Sequence, residues 1–412
     1  MPDNPKVLFT SIGLGDDGVR DSYTYNFVTK EMEALTERGI DVYFFHEKYT
    51  SMERINGVKC IGGKWYSNVG KLRVIWTLIQ SIRIFIKPLS IDLRRTFWAV
   101  KINLAISDLA NDVGIDIIHT HFMYPIGLNC SVTTKISSIP VVSTLRGAEL
   151  HDRDDLDYGA CRDPLYRNFL RMGLKSADYM TAPNPELVRK LIGELNVSSD
   201  QVGLVPNGFE VLDYQDVEHD FFESDALNIL SVGNLIKLKN HRLLVEAVNT
   251  IVSKYQLKLR VVIVGKGPLL RDLEAMIGEA PIKIVPEMKK FALASYMRRA
   301  DALVHASLLE GMPNVILEAL SFGTPCIVSD ISPHRMLIKD SVNGYIFDPT
   351  KVESLVLGIV KFSKNRGEIE SMSNDCIERS KQYSLNRKIS KYLKIYKTLL
   401  SGVRNRSVSR EQ

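Results

Sequence analysis

Residues 302–330 read ALVHASLLEGMPNVILEALSFGTPCIVSD. An apolar run, ALVHAS (302–307), enters a short loop carrying Glu310 and Gly311. A helix is then expected from Pro313, whose fixed φ and missing N–H suit the first helical position. A second apolar run, PCIVSD (325–330), follows. Two strands joined by a helix-length crossover pair in parallel. The same alternation runs along the whole chain, in KVLFTSI (6–12), DVYFFH (41–46), DIIHTH (116–121), VVSTL (141–145) and YMTAP (179–183), then in LNILSVG (227–233), LRVVIVG (259–265) and GYIFD (344–348). The two series are split by the acid-rich VPNGFEVLDYQDVEHDFFESDA (205–226), which opens on the turn signal Pro206-Asn207-Gly208 and reads as a linker. The fold class is α/β, with two doubly wound, Rossmann-like domains facing across a cleft, over residues 1–207 and 208–380. A helix over 381–402 is expected to pack back on the first domain, with a flexible tail over 403–412.

The chain has 412 residues, 45% of them hydrophobic and 25% charged, enough to bury two or three cores at ~150 residues per domain. Its 53 basic and 48 acidic residues leave +5, too little to indicate nucleic acid unless clustered. The cysteines Cys60, Cys130, Cys161, Cys326 and Cys376 show no C-x-x-C spacing, so neither a zinc site nor a disulfide framework is expected and a reducing cytosol fits. No signal-peptide pattern opens the chain and no apolar run reaches ~18 residues, so neither export by that route nor a membrane span is expected. One cluster of charge exists. Segment 71–101 carries Lys71, Arg73, Arg83, Lys87, Arg94, Arg95 and Lys101 against Asp92 alone. Leu72, Ile75, Trp76, Ile79, Ile82 and Ile86 share one helical face, with Arg73, Thr77, Gln80 and Lys87 beside it. Two readings stand: a basic amphipathic helix lying in an anionic bilayer interface, or a core-packing helix pair with a solvated basic rim.

Near the start, SIGLGDDGVR (11–20) places Gly13, Gly15 and Gly18 as G-x-G-x-x-G after a strand. A dinucleotide turn puts its third glycine at the helix start and an acidic residue ~20 positions on. Here the helix bearing Phe27, Val28, Met32 and Leu35 begins only near Ser22 or Tyr23, and Glu47 comes too late. The loop is a place where backbone approaches a ligand, without nicotinamide.

In residues 307–325 the amides of Gly311, Met312, Asn314 and Val315 would point out of the helix's amino end, ready to bond ligand oxygens. Glu318 lies about five residues inside, ~8 Å from that end, so Glu310 and Glu318 can grip two parts of one ligand. E-G-M-P-N-V-I-L-E-A resembles the paired-glutamate element of the retaining, nucleotide-sugar-dependent glycosyltransferases of family 4, which have the two-domain GT-B fold. The glycine-rich first loop, DIIHTHFMYPIG (116–127), VVSTLRGAEL (141–150), VPNGFE (205–210), SVGNLIKLKNH (231–241), VIVGKGP (262–268) and SVNGYIFDP (341–349) follow the family's order.

The resemblance implies that the second domain binds the nucleotide sugar. Glu318 would hold the ribose hydroxyls, Glu310 with the amides of Gly311, Met312, Pro313-Asn314 and Val315 the transferred sugar, and Lys239 the donor diphosphate. Asn234 stands where the family usually has arginine, which removes one charge from the phosphate site. Lys237 could restore part of it, without an arginine's bidentate fork. On the strand DIIHTH, alternation puts His119 and His121 on one side. His121 is preferred as the histidine near sugar and scissile phosphate, and His119 is the buried alternative. Arg146 stands where many relatives have histidine, suited to a sugar hydroxyl or an anionic acceptor. Gly15 and Gly18 would face donor phosphate and acceptor.

The acidic stretch HDRDDLD (151–157) is expected to be a solvated loop. No metal or other cofactor is expected, because this fold activates its leaving group with cationic side chains and helix dipoles. His305 reads as a core histidine, and Ser307 and Asn314 as loop braces. His121, Glu310 and Lys239 are the expected catalytic groups. The implied reaction moves a sugar from a nucleoside diphosphate sugar to an acceptor hydroxyl with retention, on a lipid-linked or cell-envelope glycan if segment 71–101 meets the inner face of the cell membrane. Two rivals remain, a nucleotide-sugar 2-epimerase on the same fold and a non-catalytic sugar-nucleotide-binding subunit, the latter suggested by Asn234 and Arg146.

Overall fold

In the computed structural model the described residues are 4–11, 26–46, 49–80, 92–121, 139–211 and 221–408. They form two units. The first takes the chain up to Pro206 together with the segment from Leu385 onward, and the second takes Asn207–Ser384 with the short stretch Asp155–Asp157.

The first unit is built on an eight-stranded sheet. In chain order its strands are β1 (Lys6–Ser11), β2 (Asp41–His46), β3 (Glu53–Ile55), β4 (Val58–Gly62), β5 (Ile117–His121), β6 (Val141–Thr144), β7 (Tyr179–Ala182) and β8 (Val202–Leu204). In space they run β3-β4-β2-β1-β5-β6-β7-β8, all parallel except the β3–β4 hairpin, whose Asn56-Gly57 turn has both φ values positive. Strand order reverses between β1 and β5, the place in such a sheet where loops diverge and leave a crevice. His121 ends β5 at that switch point.

The buried strands carry apolar side chains on both faces, as parallel sheets covered on two sides require. Val7, Phe9, Ile117 and Val142 pack with Val28, Met32 and Leu35 of helix α1 (Asn26–Glu37) on one face. Against this same cluster lies a helix that returns from the far end of the chain, Leu385–Val408, contributing Ile389, Tyr392 and Tyr396 with no exposed surface. It starts at Leu385 rather than 381 and stays helical to Val408, past the point where a flexible tail was expected. Gly402 is a lone glycine with no proline after it, and one glycine costs a helix only about 1 kcal/mol relative to alanine.

Between β4 and β5 stand helices α2 (Lys71–Gln80) and α3 (Leu93–Val113). Only Val74 and Leu78 of α2 are buried, and the Arg73 guanidinium clasps Asp108 of α3 with both Nη atoms, at 2.5 and 2.8 Å. The apolar face set out above is turned the other way. Leu72, Ile75, Trp76 and Ile79 are 82, 46, 60 and 63% exposed, so this face is not the one that packs, and α2 meets the core through Val74 and Leu78 instead. Ile82, Arg83, Ile86 and Lys87 lie outside the described residues.

The second unit holds a six-stranded, all-parallel sheet of β9 (Leu227–Val232), β10 (Leu259–Val264), β11 (Ile282–Val285), β12 (Ala302–His305), β13 (Cys326–Ser329) and β14 (Gly344–Phe347). Its order is β11-β10-β9-β12-β13-β14, reversing between β9 and β12. The loops after these two strands, 233–239 and 306–313, therefore leave at the second switch point. They are drawn tightly together with the loop after β10. A Cβ on Gly265 would lie 1.9 Å from the Gly233 carbonyl oxygen, which no side chain permits.

Candidate active site

In the second unit β12 delivers the chain into the loop bearing Glu310, and helix α4 (Asn314–Ser321) follows. Pro313 caps this helix instead of opening it, because its ψ of 110° is extended. Gly311, Met312 and Pro313 are buried, and Asn314 and Val315 half-buried. Asn207 braces the loop from the turn that opens the unit: its Nδ2 donates to the Met312 carbonyl at 3.1 Å and to Asn314 Oδ1 at 3.0 Å.

Glu310 is gripped from two sides. Its Oε1 accepts from Lys239 Nζ at 2.5 Å and from His305 Nε2 at 3.0 Å, and Ser307 Oγ lies 3.1 Å from that same ring nitrogen. Burial alone would raise this carboxyl, but the Lys239 ammonium, followed by His305, holds it well below the usual carboxylate range. His305 is buried as expected, yet it touches the carboxylate at the centre of the site. Its spacing five residues before Glu310 in a strand-to-loop turn was the available signal. Glu318 behaves differently, its carboxyl pushed up to about 7 by burial, with Lys290 opposing. Lys239 closes the short helical turn 237–239, its stem beside Gly233, whereas Asn234 and Lys237 are exposed. Together, then, stand Lys239, Glu310, His305 and the amino end of α4.

In the first unit β5 and β6 pair in register, His119 with Val142 and His121 with Thr144. Both histidines are fully buried, their ring centroids 4.6 Å apart. His119 has both ring nitrogens engaged, Nδ1 with Tyr396 Oη at 2.5 Å and Nε2 with Thr144 Oγ1 at 2.7 Å. That leaves His119, the alternative acceptor or sugar contact on the strength of the resemblance, no ring nitrogen for that role. The reason is depth, since the two tyrosines of the returning helix cover it. Burial pushes its imidazolium down to about 3.

His121 Nδ1 lies 3.2 Å from Arg146 Nη2. The same Nη2 donates to Glu31 Oε1 at 2.8 Å, and Lys388 Nζ donates to that oxygen at 2.5 Å. The Arg146 guanidinium also sits 4.2 Å over the Phe27 ring, while Glu149 caps the backbone amides of Arg146 and Gly147. Burial would raise Glu31, but Arg146, Lys388 and His121 hold it well below the ordinary range. Arg146 is thus brought to His121, a pairing the sequence did not indicate. Glu31, Lys388, Tyr392 and Tyr396 were not foreseen; a glutamate inside the apolar face Phe27, Val28, Met32, Leu35 was the one hint. Gly15 and Gly18 lie outside the described residues. In the acidic stretch Asp152 meets Arg167 at 2.9 Å and Asp154 meets Arg162 at 2.7 Å. Among the described residues no cluster of three or more histidine, cysteine or carboxylate groups is arranged to hold a metal ion.

Each unit is built on a switched, mainly parallel sheet, and the second places a helix amino end beside a paired lysine and glutamate at its switch point. Solved structures share this fold. Sucrose-phosphate synthase from Thermosynechococcus elongatus matches with TM-score 0.71 at 17% identity, covering 97% of this chain and all of that one. The Anabaena HepE structure in complex with UDP and glucose matches with TM-score 0.69 at 13% identity, covering 96 and 100%. The model for glycosyltransferase family 4 matches residues 26–211, and that for glycosyl transferases group 1 matches residues 216–383. The chain belongs to these family 4, group 1 glycosyltransferases. Among curated relatives, the Escherichia coli UDP-Gal:alpha-D-GlcNAc-diphosphoundecaprenol alpha-1,3-galactosyltransferase is 24% identical over 313 residues, covering 73% of this chain and 79% of the relative.

Proposed function

We propose that this enzyme transfers a sugar, with retention, from a nucleoside diphosphate sugar to a hydroxyl of a lipid-linked cell-envelope glycan. The observation that carries the donor half is Glu310, a half-buried carboxylate held by Lys239 and His305 in the loop that leads into α4. A carboxylate so placed holds sugar hydroxyls and stabilises positive charge developing at the anomeric carbon. Lys239 and the amino end of α4 meet the negative charge that grows on the departing diphosphate. Glu318 holds the ribose, and His121 with Arg146 serves the acceptor side. UDP is the first nucleotide to test, because the E. coli relative is named for UDP-Gal and the HepE complex holds UDP.

Positive charge for the leaving group comes here from protein groups, so no metal is needed. Transfer should proceed unchanged after dialysis against EDTA. Loss of transfer in EDTA with recovery in manganese would defeat this account of the leaving group.

The lipid-linked acceptor is supported by the E. coli relative's printed substrate and by α2. No helix among the described residues is long and apolar enough to cross a membrane. Instead α2 presents Leu72, Ile75, Trp76 and Ile79 outward, in a segment whose charge is strongly basic. Such a face seats in the interfacial layer of an anionic bilayer, here the inner face of the cell membrane. Arg73 is committed to Asp108, so charge reversal there would confuse docking with packing. The clean variant is Trp76→Ser with Ile79→Ser. Each side chain loses roughly 1.5–3 kcal/mol of burial in lipid, so co-sedimentation with anionic vesicles should drop by more than tenfold while thermal stability stays the same. Equal sedimentation of variant and wild type would remove α2 as the membrane contact.

A further inference from the structure

We propose that Lys388, reaching into the first unit from the returning helix Leu385–Val408, is a positioning residue for His121, fixing it through Glu31 and Arg146 as a neutral ring with its proton on Nε2. A guanidinium has donors only. With Arg146 Nη2 at 3.2 Å, His121 Nδ1 must present its lone pair, so the single proton of the neutral ring is on Nε2. That nitrogen is fully buried and has no hydrogen-bond partner among the described residues. The nearest charged acceptor, Glu31 Oε2, stands 3.6 Å away, beyond a hydrogen bond. A buried donor left this way retains its bond for an oxygen of the substrate.

What stops Glu31 from taking that proton is the pull on its other oxygen. Lys388 Nζ at 2.5 Å and Arg146 Nη2 at 2.8 Å both hold Oε1. Without Lys388 the carboxylate can turn Oε2 toward His121 Nε2 and close the gap, drawing the ring toward imidazolium and consuming the donor. The groups facing His121 are Glu31 from α1, His119 from β5, Arg146 from the loop after β6, and Lys388 from the returning helix, with the Phe9 ring stacked at 5.3 Å. Burial comes first in disfavouring the charged ring, His119, Arg146 and Lys388 act in the same direction, and Glu31 alone opposes them. One carboxylate serves two buried cations, and burial with Arg146 pushes Lys388 down to about 7. Lys388 and Glu31 lie 357 positions apart in the chain, so the last helix is tied to the acceptor-side histidine.

This rests on reading His121 as a substrate contact, so the test reads the ring itself. Imidazole nitrogen and carbon chemical shifts of histidine-labelled full-length protein, assigned with His121→Gln, should show His121 as the neutral Nε2–H tautomer from pH 7.5 to 5.5. In Lys388→Met the signal should move toward imidazolium. At the same time kcat should fall roughly tenfold, part of the ~10²–10⁴ that a positioned proton-transfer group supplies, with donor KM unchanged. Lys388→Arg, which keeps the cation, should retain the tautomer. An Nδ1–H or charged ring in the wild type, or a Lys388→Met protein with wild-type shifts and kcat, overturns the proposal. Should Lys388→Met not fold, the wild-type spectrum and Lys388→Arg decide it. If the ring is as expected but His121→Ala keeps full transfer, the substrate role of His121 fails and the positioning by Lys388 stands.

Discussion

Replacing Glu310 by alanine should lower kcat by roughly 30- to 1,000-fold, the equivalent of ~2–4 kcal/mol of transition-state stabilisation. Binding of free nucleoside diphosphate should hold or tighten. Glu310 acts on the sugar as charge develops at its anomeric carbon, which is an interaction strengthened in the transition state. The same carboxylate occupies Lys239, so its removal frees an ammonium for the diphosphate. Glu318→Ala is the contrasting variant. A ribose contact is present in ground and transition states alike, so its loss should weaken the sugar nucleotide and the free nucleoside diphosphate together and leave kcat nearly intact. Titration calorimetry with nucleoside diphosphate, beside transfer rates for both variants, separates the two roles. If Glu310→Ala weakens the nucleotide as much as Glu318→Ala does, or keeps full turnover, the assignment fails. An altered sugar released from donor alone would point to epimerisation, and an inert wild type that binds donor would point to a binding subunit.

The strands at both switch points were legible because a strand buried on two faces leaves a local signature, an apolar run bounded by turn residues. Polar residues inside such runs, His119 and His121 in β5 and His305 in β12, could be seen as exceptions; His121 and His305 belong to the candidate sites, and His119 packs behind His121. The edge strands β3 and β8, and β4 beside β3, were not legible, being three to five residues long and mixed in polarity. Pairing over distance was hidden for a different reason. Periodicity shows which face of a helix is apolar and does not name its partner, so nothing near Glu31 identified Lys388. The outward turn of α2 was hidden in the same way: Val74 and Leu78 made a second, narrower apolar stripe, and contact with α3 selected it.

Stability should fall steeply between pH 7.5 and 5.5, by up to about 4 kcal/mol in each unit. The first unit holds His119, His121 and His151 neutral and buried, with His119 lowered to about 3 and His151 to about 4 by burial, and His121 well below its ordinary value. The second holds His241 at about 4, His334 at about 3 and His305 in the same direction, again through burial first. A base whose folded value is depressed contributes nothing unfavourable above its unfolded value near 6.5. Below that pH the unfolded chain takes up protons the folded one refuses, and a histidine lowered to about 4 or below costs at most ~1.4 kcal/mol by pH 5.5. The depressed carboxylates Glu31 and Glu310 contribute stability present above about 4.5, so they are not yet lost in this window. Lys388, lowered to about 7, has already exacted most of its cost on descending from 10.5. Glu149 and Glu318, raised by burial, run the other way, their protonation favouring the folded state as pH falls, so 4 kcal/mol is a ceiling. Against a typical 5–15 kcal/mol this is enough to unfold a marginal unit. Urea unfolding at half-unit pH steps gives the slope directly, ~1.4 kcal/mol per pH unit for each proton taken up on unfolding. A flat profile from 7.5 to 5.5 would mean that the histidines are not held neutral, and the neutral His121 on which the Lys388 proposal depends would fall with them.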